Sequence, residues 1–432
     1  MAASENLRAL ALEALLLIME KKEYSNIVIK GVLDRYSYLP KNERAFLNYL
    51  IYGCVERAIE LDYLIDQVSK VKTKKLKPVI RNILRMGAYQ LKYMDAVPDR
   101  AAVSESVKLA RKKGFASLAG YVNAVMRNLA RNIGQISYPL DPSLNLSVAY
   151  SMPQWIVKTF ADDYGYERTS DICRQLISPS RVCIRTNTLK ILPSELEDRL
   201  KNQGISVEQS DLIKEAFYIE GFDNIAQIDE FKEGLFSVQD ISSMQAVKTL
   251  SPKEGEIILD LCASPGGKAT YACELMNNTG CVIARDISNS KIERIKENAQ
   301  RCDINNIYIE VFDALDFDES LAGKVDGIIA DLPCSGLGVI ARKPDIKYHT
   351  LKEDIKSLAA LQLKILNKCC DYLKKDGRIV YSTCTLTKEE NADNVRRFLL
   401  AHPQFRLMSE KTIFPQGSVC DGFYIAYLKR EE

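Results

Sequence analysis

From residue 255 onward, short apolar runs alternate with amphipathic helical stretches, and this alternation constrains the fold more than any other feature of the chain. The runs are Ile257 to Leu261, Val282 to Ala284, Ile307 to Val311, Gly327 to Ala330 and Arg378 to Tyr381. Apolar strands separated by helices build a parallel, doubly wound sheet covered on both faces. Ligands of such sheets bind beyond the carboxyl ends of the strands, so chemistry belongs in the residues just after each run.

Upstream the pattern is different. Leu7, Leu10, Ala11, Ala14, Leu15 and Ile18 recur at helical spacing, and similar patterns run through residues 45–64, 79–93 and 103–129. Gly134, Pro139 and Pro142 then interrupt all periodicity. The chain of 432 residues therefore divides into an all-helical domain over 1–140, a small α+β domain over 141–240 and an α/β domain over 241–432. The middle piece carries helical stretches around Trp155 and over Ser194 to Asn202, and a strand-like run from Val182 to Arg185.

The twelve cysteines contain no C-x-x-C pair, and neither His349 nor His402 has a His or Cys partner at zinc-site spacing. No metal site is expected. Scattered cysteines read as reduced thiols of a cytoplasmic protein. No apolar run approaches the roughly 18 residues of a membrane span, and no coiled-coil heptad demands a dimer, so a monomer away from membranes is expected.

The first run ends in Asp260-Leu-Cys-Ala-Ser-Pro-Gly-Gly-Lys268 and leads at once into a helical stretch. Adjacent glycines there let backbone approach a ligand at a helix N-terminus. A phosphate-binding P-loop is excluded by Cys262 and Ala269, which stand where glycine and Ser or Thr are required, and G-x-G-x-x-G is missing. Asp286 ends the second run, where it could accept hydrogen bonds from ribose hydroxyls, and Asp313 follows the third. Any one of these acids could be a turn or cap residue. Three in succession beside a glycine loop favour a nucleoside-bearing cofactor.

The fourth run ends Asp331-Leu-Pro-Cys334-Ser-Gly and the fifth Ser382-Thr-Cys384-Thr. A free cysteine is usually a small buried hydrophobe. Cys334 and Cys384 differ because both leave strand ends, where a thiol can meet substrate. A nucleophilic thiol, a carboxylate and a nucleoside cofactor suit methylation of cytosine carbon 5. That carbon becomes nucleophilic only after a thiolate adds at carbon 6, and a carboxylate near ring N3 would stabilise the adduct.

Residues 260–268, Asp331-Leu-Pro-Cys-Ser335 and Tyr381-Ser-Thr-Cys384 together closely resemble the RNA cytosine-5 methyltransferases that use S-adenosyl-L-methionine. The stretch from Phe46 to Asp66, Leu84-Arg-Met-Gly-Ala-Tyr-Gln90 and Gly120-Tyr-Val-Asn-Ala-Val-Met-Arg127 are similar to the NusB-type helical domain. That combination resembles the Sun/Fmu (RsmB) family, which methylates a cytosine of 16S ribosomal RNA. The resemblance implies a Rossmann-like methyltransferase domain, with Cys262, Ala263, Ser264, Pro265, Gly266, Gly267 and Lys268 lining the methyl donor. It further implies Asp286 on the ribose, Asp313 near the adenine and Asp331 facing both donor and target base. Cys384 would be the nucleophile and Cys334 would help release product. Arg342-Lys343, at the head of Arg342-Lys-Pro-Asp-Ile-Lys347, would touch RNA, and Arg185-Thr-Asn187 is a further family segment. Ser264 and Leu332 stand where alanine is common and Tyr348 where tryptophan is expected, with a change in stacking on RNA as the consequence.

Two other classes compete. A non-catalytic RNA-binding or assembly factor is disfavoured by the intact thiols and acids. A dehydrogenase is disfavoured by the missing dinucleotide fingerprint and the lack of a histidine at a strand end. The formal charge of +2 hides an uneven distribution: Gln67 to Arg131 holds 15 Lys or Arg against 3 acids, a local +12. Lys70, Lys72, Lys74, Lys75 and Lys77, with Arg111, Lys112 and Lys113, are the candidate phosphate-binding surface for ribosomal RNA; a solvated helical face is the plainer reading of the same residues.

Overall fold

The computed structural model describes residues 6–431. The chain forms two compact units, one of residues 1–177 with 342–351 and the other of 178–341 with 352–432.

The first unit is helical. Its central helix, Pro78–Tyr93, buries Ile80, Ile83, Leu84, Met86, Ala88 and Tyr89 among the helices Leu7–Lys21, Lys41–Glu56, Ala58–Val68, Asp99–Lys112 and Ala119–Asn132. Proline at the first position starts this helix with its fixed φ and no wasted N–H. Arg85 is buried within it and is satisfied by both oxygens of Asp62, at 2.7 and 2.6 Å.

This unit extends past the boundary near residue 140 read from Gly134 and the prolines. The helices Pro142–Ala149 and Gln154–Gln175 belong to it. The turn between them is tied to the earlier helices by Ser151 Oγ, which accepts from the Ile59 amide at 2.9 Å, and the segment before them by Tyr63, which donates to the Ser137 carbonyl at 2.8 Å. Pro142 starts the first of these helices, so the break in periodicity falls inside the compact unit. The second difference is Arg342–Leu351, which lies in the catalytic portion of the sequence but belongs to the helical unit. Lys347 is 1% exposed there and donates to the Glu56 carbonyl at 2.7 Å, and Ser25 donates to the buried Asp345.

The second unit contains two sheets. The smaller is antiparallel in the order β2-β3-β1-β4, from β1 (Val182–Thr186), β2 (Ser206–Gln209), β3 (Ala216–Glu220) and β4 (Phe236–Val238). Alternation along β1 ties this sheet to the larger one: Ile184 faces a core with the helix Pro193–Asn202, while Cys183 joins the core of the larger sheet. Arg185 completes the join. Fully buried, it reaches both oxygens of Glu274 at 3.0 and 2.7 Å, the Gly267 carbonyl at 3.0 Å and the side chain of Gln239.

The larger sheet has the order β10-β11-β9-β8-β5-β6-β7. Its strands are β5 (Ile257–Asp260), β6 (Cys281–Asp286), β7 (Ile307–Val311), β8 (Val325–Asp331), β9 (Leu373–Thr383), β10 (Phe405–Ile413) and β11 (Phe423–Arg430). β5 to β9 run parallel, and β10 and β11 are antiparallel additions. Successive residues fill opposite faces: Ile258, Ala284, Ile329 and Val380 pack under Ile241–Leu250, Gly267–Leu275 and Asn289–Arg301, whereas Leu259, Ile283, Ile328 and Ile379 pack under Lys352–Tyr372 and Ala392–Ala401. From β5 the chain winds outward through β6 and β7, then returns to β8 on the other side of β5. The switch point therefore lies between the carboxyl ends of β5 and β8.

Removing one partner of a buried ion pair strands the other. Arg185→Met should cost about 3–5 kcal/mol in urea denaturation, and Arg185→Met with Glu274→Leu should recover most of that loss. A single variant as stable as the parent would show that the join does not depend on the pair.

Candidate active site

At the end of β5 the loop Leu261–Gly266 is folded by backbone groups of its neighbour: Ala263 N–H donates to the Arg285 carbonyl at 2.8 Å and Ser264 N–H to Asp286 Oδ2 at 3.0 Å. Gly266 then caps the helix Gly267–Leu275 with φ of 102°, a left-handed conformation natural to glycine alone. Asp286 is buried, and its other oxygen accepts from the Ile287 amide at 2.8 Å and from Lys291 at 2.9 Å. Asp313 shapes a turn by accepting from the Leu315 amide at 2.9 Å.

Asp260 itself is only 1% exposed, and neither of its carboxylate oxygens has a hydrogen-bond partner among the described residues. Burial pushes its carboxyl up to about 8; Lys268 opposes the push, and Asp331 and Asp286 add to it.

Between β8 and β9 the parallel register sets Asp331 opposite Ser382. Asp331 accepts from Ser382 Oγ on one oxygen and from Lys268 Nζ on the other, each at 2.7 Å. Burial works against the Lys268 ammonium, yet the facing Asp331 charge, its hydrogen bond and Asp260 hold it above its ordinary value. Beyond these residues the two loops bring Cys334 Sγ within 3.1 Å of Cys384 Sγ. The Cys334 thiol is pushed well above its usual range by its bond to Cys384, then by burial, with the charges of Glu390 and Asp331 adding to the effect. The Lys268 ammonium interacts electrostatically with Cys384.

Two thiols, a clamped carboxylate and a glycine loop thus meet at the switch point. Residues 247–429 match the family described as 16S rRNA methyltransferase RsmB/F, residues 5–131 the NusB family and residues 152–226 the RsmF/B-like ferredoxin-like domain. The probable ribosomal RNA small subunit methyltransferase B of Bacillus subtilis is 37% identical over 447 residues, covering 99% of both chains. Its counterpart in Synechocystis is 31% identical, covering 98% of this chain and 99% of that one. The chain belongs to the RsmB/F family of 16S rRNA methyltransferases. Among solved structures, PH0851 superposes with a TM-score of 0.84 at 25% identity over 99% of this chain and all of that one. A methyltransferase homologue from Pyrococcus horikoshii gives 0.60 at 29% identity over 68% of this chain and all of that one.

S-adenosyl-L-methionine is the methyl donor of this family member, and the residues present fit it. The donor is a sulfonium cation, and Asp260 is a buried acid at the switch point to which no side chain donates among the described residues. Sequence reading counted Asp260 with Asp286 and Asp313 as strand-end acids but assigned the donor loop only from Cys262 to Lys268, because an acid at a strand end says nothing about whether its oxygens are satisfied. It also passed over Ser335, Gln362, Glu390 and Asn391, all buried around the two cysteine loops. Glu390-Asn391, six residues beyond Cys384, is a polar pair just before a helix, and only its burial sets it apart.

The basic candidates lie in the helical unit. Lys70, Lys72, Lys74, Lys75 and Lys77 are exposed around the turn Thr73–Lys75. Lys77 Nζ sits 5.8 Å over the Phe115 ring, which places this turn beside the exposed Arg111 and Lys112, while Lys113 pairs with Glu13 at 2.8 Å. Lys343 is exposed and Arg342 partly so. Tyr348, expected to alter stacking on RNA, packs instead against the helical core with its hydroxyl near Ser151.

A carboxyl raised to about 8 keeps its proton in the folded state while the unfolded chain releases it near 4, so Asp260 lowers stability progressively as pH rises between those values. Asp260→Asn should therefore melt at or above the parent temperature, by a margin that widens from pH 5 to pH 8. The same variant should bind S-adenosyl-L-methionine at least about tenfold more weakly by calorimetry, a loss of about 1.4 kcal/mol. Unchanged affinity would remove Asp260 from the donor site.

Proposed function

We propose that this enzyme methylates carbon 5 of a cytosine in 16S, small-subunit ribosomal RNA, through a covalent bond between Cys384 and ring carbon 6. The observation that carries the reading is the pair of thiols 3.1 Å apart beside Asp331, itself held by Lys268.

The two thiols divide the work according to their surroundings. Cys384 stands in the Ser-Thr-Cys string that carries the nucleophile in the RNA cytosine-5 methyltransferases this chain resembles, and takes that role here. Cys334 faces the carboxylates of Asp331 and Glu390 and keeps its proton. Attack by Cys384 on carbon 6 pushes electrons into the ring, and Asp331, which accepts from Lys268 Nζ, is the group to meet ring N3. When bound along Cys262 to Lys268, with Asp260 and Asp286 at its edges and Asp313 near its base, S-adenosyl-L-methionine supplies the electrophilic methyl group. Release then needs loss of the carbon 5 proton, return of the ring double bond and departure of Cys384. Cys334, in contact with the departing sulfur, assists that last step.

RNA is held by the helical unit. The lysines around Thr73–Lys75, with Arg111, Lys112 and Lys113, suit phosphate contacts, and Arg342 and Lys343 extend the basic surface. All twelve cysteines are free thiols, in keeping with the cytoplasm as the place of action.

Enzyme incubated with donor and 5-fluorocytosine-containing RNA should give an adduct stable in denaturing gels, because fluorine at carbon 5 cannot leave as a proton. Cys384→Ser should abolish it, and Cys334→Ser should leave methylated RNA attached even with natural cytosine. An adduct formed by Cys384→Ser would reverse the assignment. RNA affinity of the full chain should fall steeply with salt, and Lys74→Gln with Lys75→Gln should reduce the slope of log affinity against log salt by about two. An unchanged slope would place the phosphate contacts elsewhere.

A further inference from the structure

The Glu390 carboxylate is fully buried and touches neither solvent nor any residue placed in the donor site. Four donors converge on it. Oε1 accepts from the Ser335 amide at 2.8 Å and Gln362 Nε2 at 3.1 Å, and Oε2 accepts from the hydroxyls of Ser335 at 2.6 Å and Thr387 at 2.7 Å. Ser335 directly follows Cys334. Its hydroxyl lies 2.7 Å from that of Thr385, which directly follows Cys384. Because Ser335 gives its proton to Glu390, Thr385 donates to Ser335, and a single chain of donors runs from one cysteine loop through the other to the carboxylate.

The next residue extends the arrangement. Asn391 accepts from the Thr383 hydroxyl at 2.5 Å and donates to the Thr385 carbonyl at 3.0 Å, so both neighbours of Cys384 are fixed. Gln362 donates to the Pro333 carbonyl at 2.8 Å, which fixes the residue before Cys334. The Gly338 amide donates to the Cys384 carbonyl at 2.9 Å, at a point where an added Cβ would fall 2.0 Å from the Gly422 carbonyl oxygen.

Burying a carboxylate costs several kcal/mol unless its surroundings repay it with hydrogen bonds. Strand pairing already holds β8 beside β9, so the sheet does not require this charge. What lies beyond the last ladder pair, Asp331 and Ser382, is the placement of the two thiols. We propose that Glu390 is a positioning residue that fixes the distance between Cys334 and Cys384 and so serves the release of product. This rests on the roles given above to the two cysteines, and its test is chosen to be separable from them.

The direct readout is oxidation of the full-length enzyme by diamide, in which two thiols lose two protons and two electrons to the reagent's N=N bond and form one disulfide. Peptide mapping should find the Cys334 to Cys384 link forming readily in the parent and about tenfold more slowly in Glu390→Ala, with Glu389→Ala behaving as the parent. No RNA takes part, so this outcome stands even if the parent fails to trap 5-fluorocytosine RNA, a failure that would count against the proposed reaction alone. In turnover, Glu390→Ala should lose about 10- to 100-fold in kcat, the scale of a misplaced reacting group. KM for RNA and donor affinity should change less than twofold, and adduct with natural cytosine should accumulate. Should Glu390→Ala fail to bind donor, Glu390→Gln, which keeps the volume but cannot accept four donors, is read in the same assays. Parental rates of disulfide formation and of adduct release in the folded variant would overturn the proposal.

Discussion

The site depends on the register between two neighbouring parallel strands. Pairing of Asp331 with Ser382 is the last rung between β8 and β9, and from there each chain has only one or two residues before its cysteine. A slip of one residue would send every side chain of a strand to the opposite face. It would separate the Asp331 carboxylate from the Ser382 hydroxyl and the two thiols from each other. Alternation of Ile328 with Ile329 and of Ile379 with Val380 between two helical layers protects against that slip, because both faces are filled and neither strand can shift without opening a cavity. The apolar cores on either side of the sheet thus fix a polar geometry at its rim.

Electrostatics at the rim follow from the same topology. The switch point brings the ends of β5 and β8 together, and each ends in an aspartate. Two carboxylates in a largely buried crevice would repel, and Lys268 separates their fates. It neutralises Asp331 directly, whereas Asp260 receives only its distant field and is left to keep a proton. The arrangement is poised for a cation: a ligand that brings positive charge to Asp260 would let that proton leave. Lys268 reaches this position because it is the second residue of a helix whose start is set by Gly266, and that helix is pinned from behind by Arg185 through Glu274 and the Gly267 carbonyl.

Much of this was legible in the sequence. All five apolar runs after residue 255 became the parallel strands, and the glycine loop, Asp331, Cys334 and Cys384 came together at the rim. The rest depends on information that local pattern does not carry. β10 escaped notice because four consecutive residues, Ser409 to Lys411 among them with Met408, are exposed and break the alternation. Pro142, one of the residues that mark the boundary near residue 140, starts a helix of the same compact unit as the helices before it. Arg342-Lys-Pro-Asp-Ile-Lys347 reads as a polar segment suited to a surface, yet Asp345 and Lys347 are buried against Ser25 and Glu56, more than 290 residues away in sequence. Glu390 was invisible for a related reason: a carboxylate next to Glu389 looks like a solvated helix start until its four donors are seen.

Charge gives the last step. Of the cations between Gln67 and Arg131, Arg81, Arg85 and Lys92 pair with Glu20, Asp62 and Glu60, all acids outside that window. These three serve the helical core, where burial would be costly without a partner. The lysines from Lys70 to Lys77 are different, since they crowd around one short turn where mutual repulsion works against the fold. That turn is nevertheless held firmly, with Asp66 accepting from the Thr73 amide at 2.6 Å and its carbonyl accepting from Lys72 at 2.9 Å. A like-charged loop kept in one conformation and set beside Arg111 and Lys112 by the Lys77 contact to Phe115 concentrates positive potential in one place. A polyanion would relieve that repulsion on binding, and this is the physical ground for proposing these lysines as the RNA contacts.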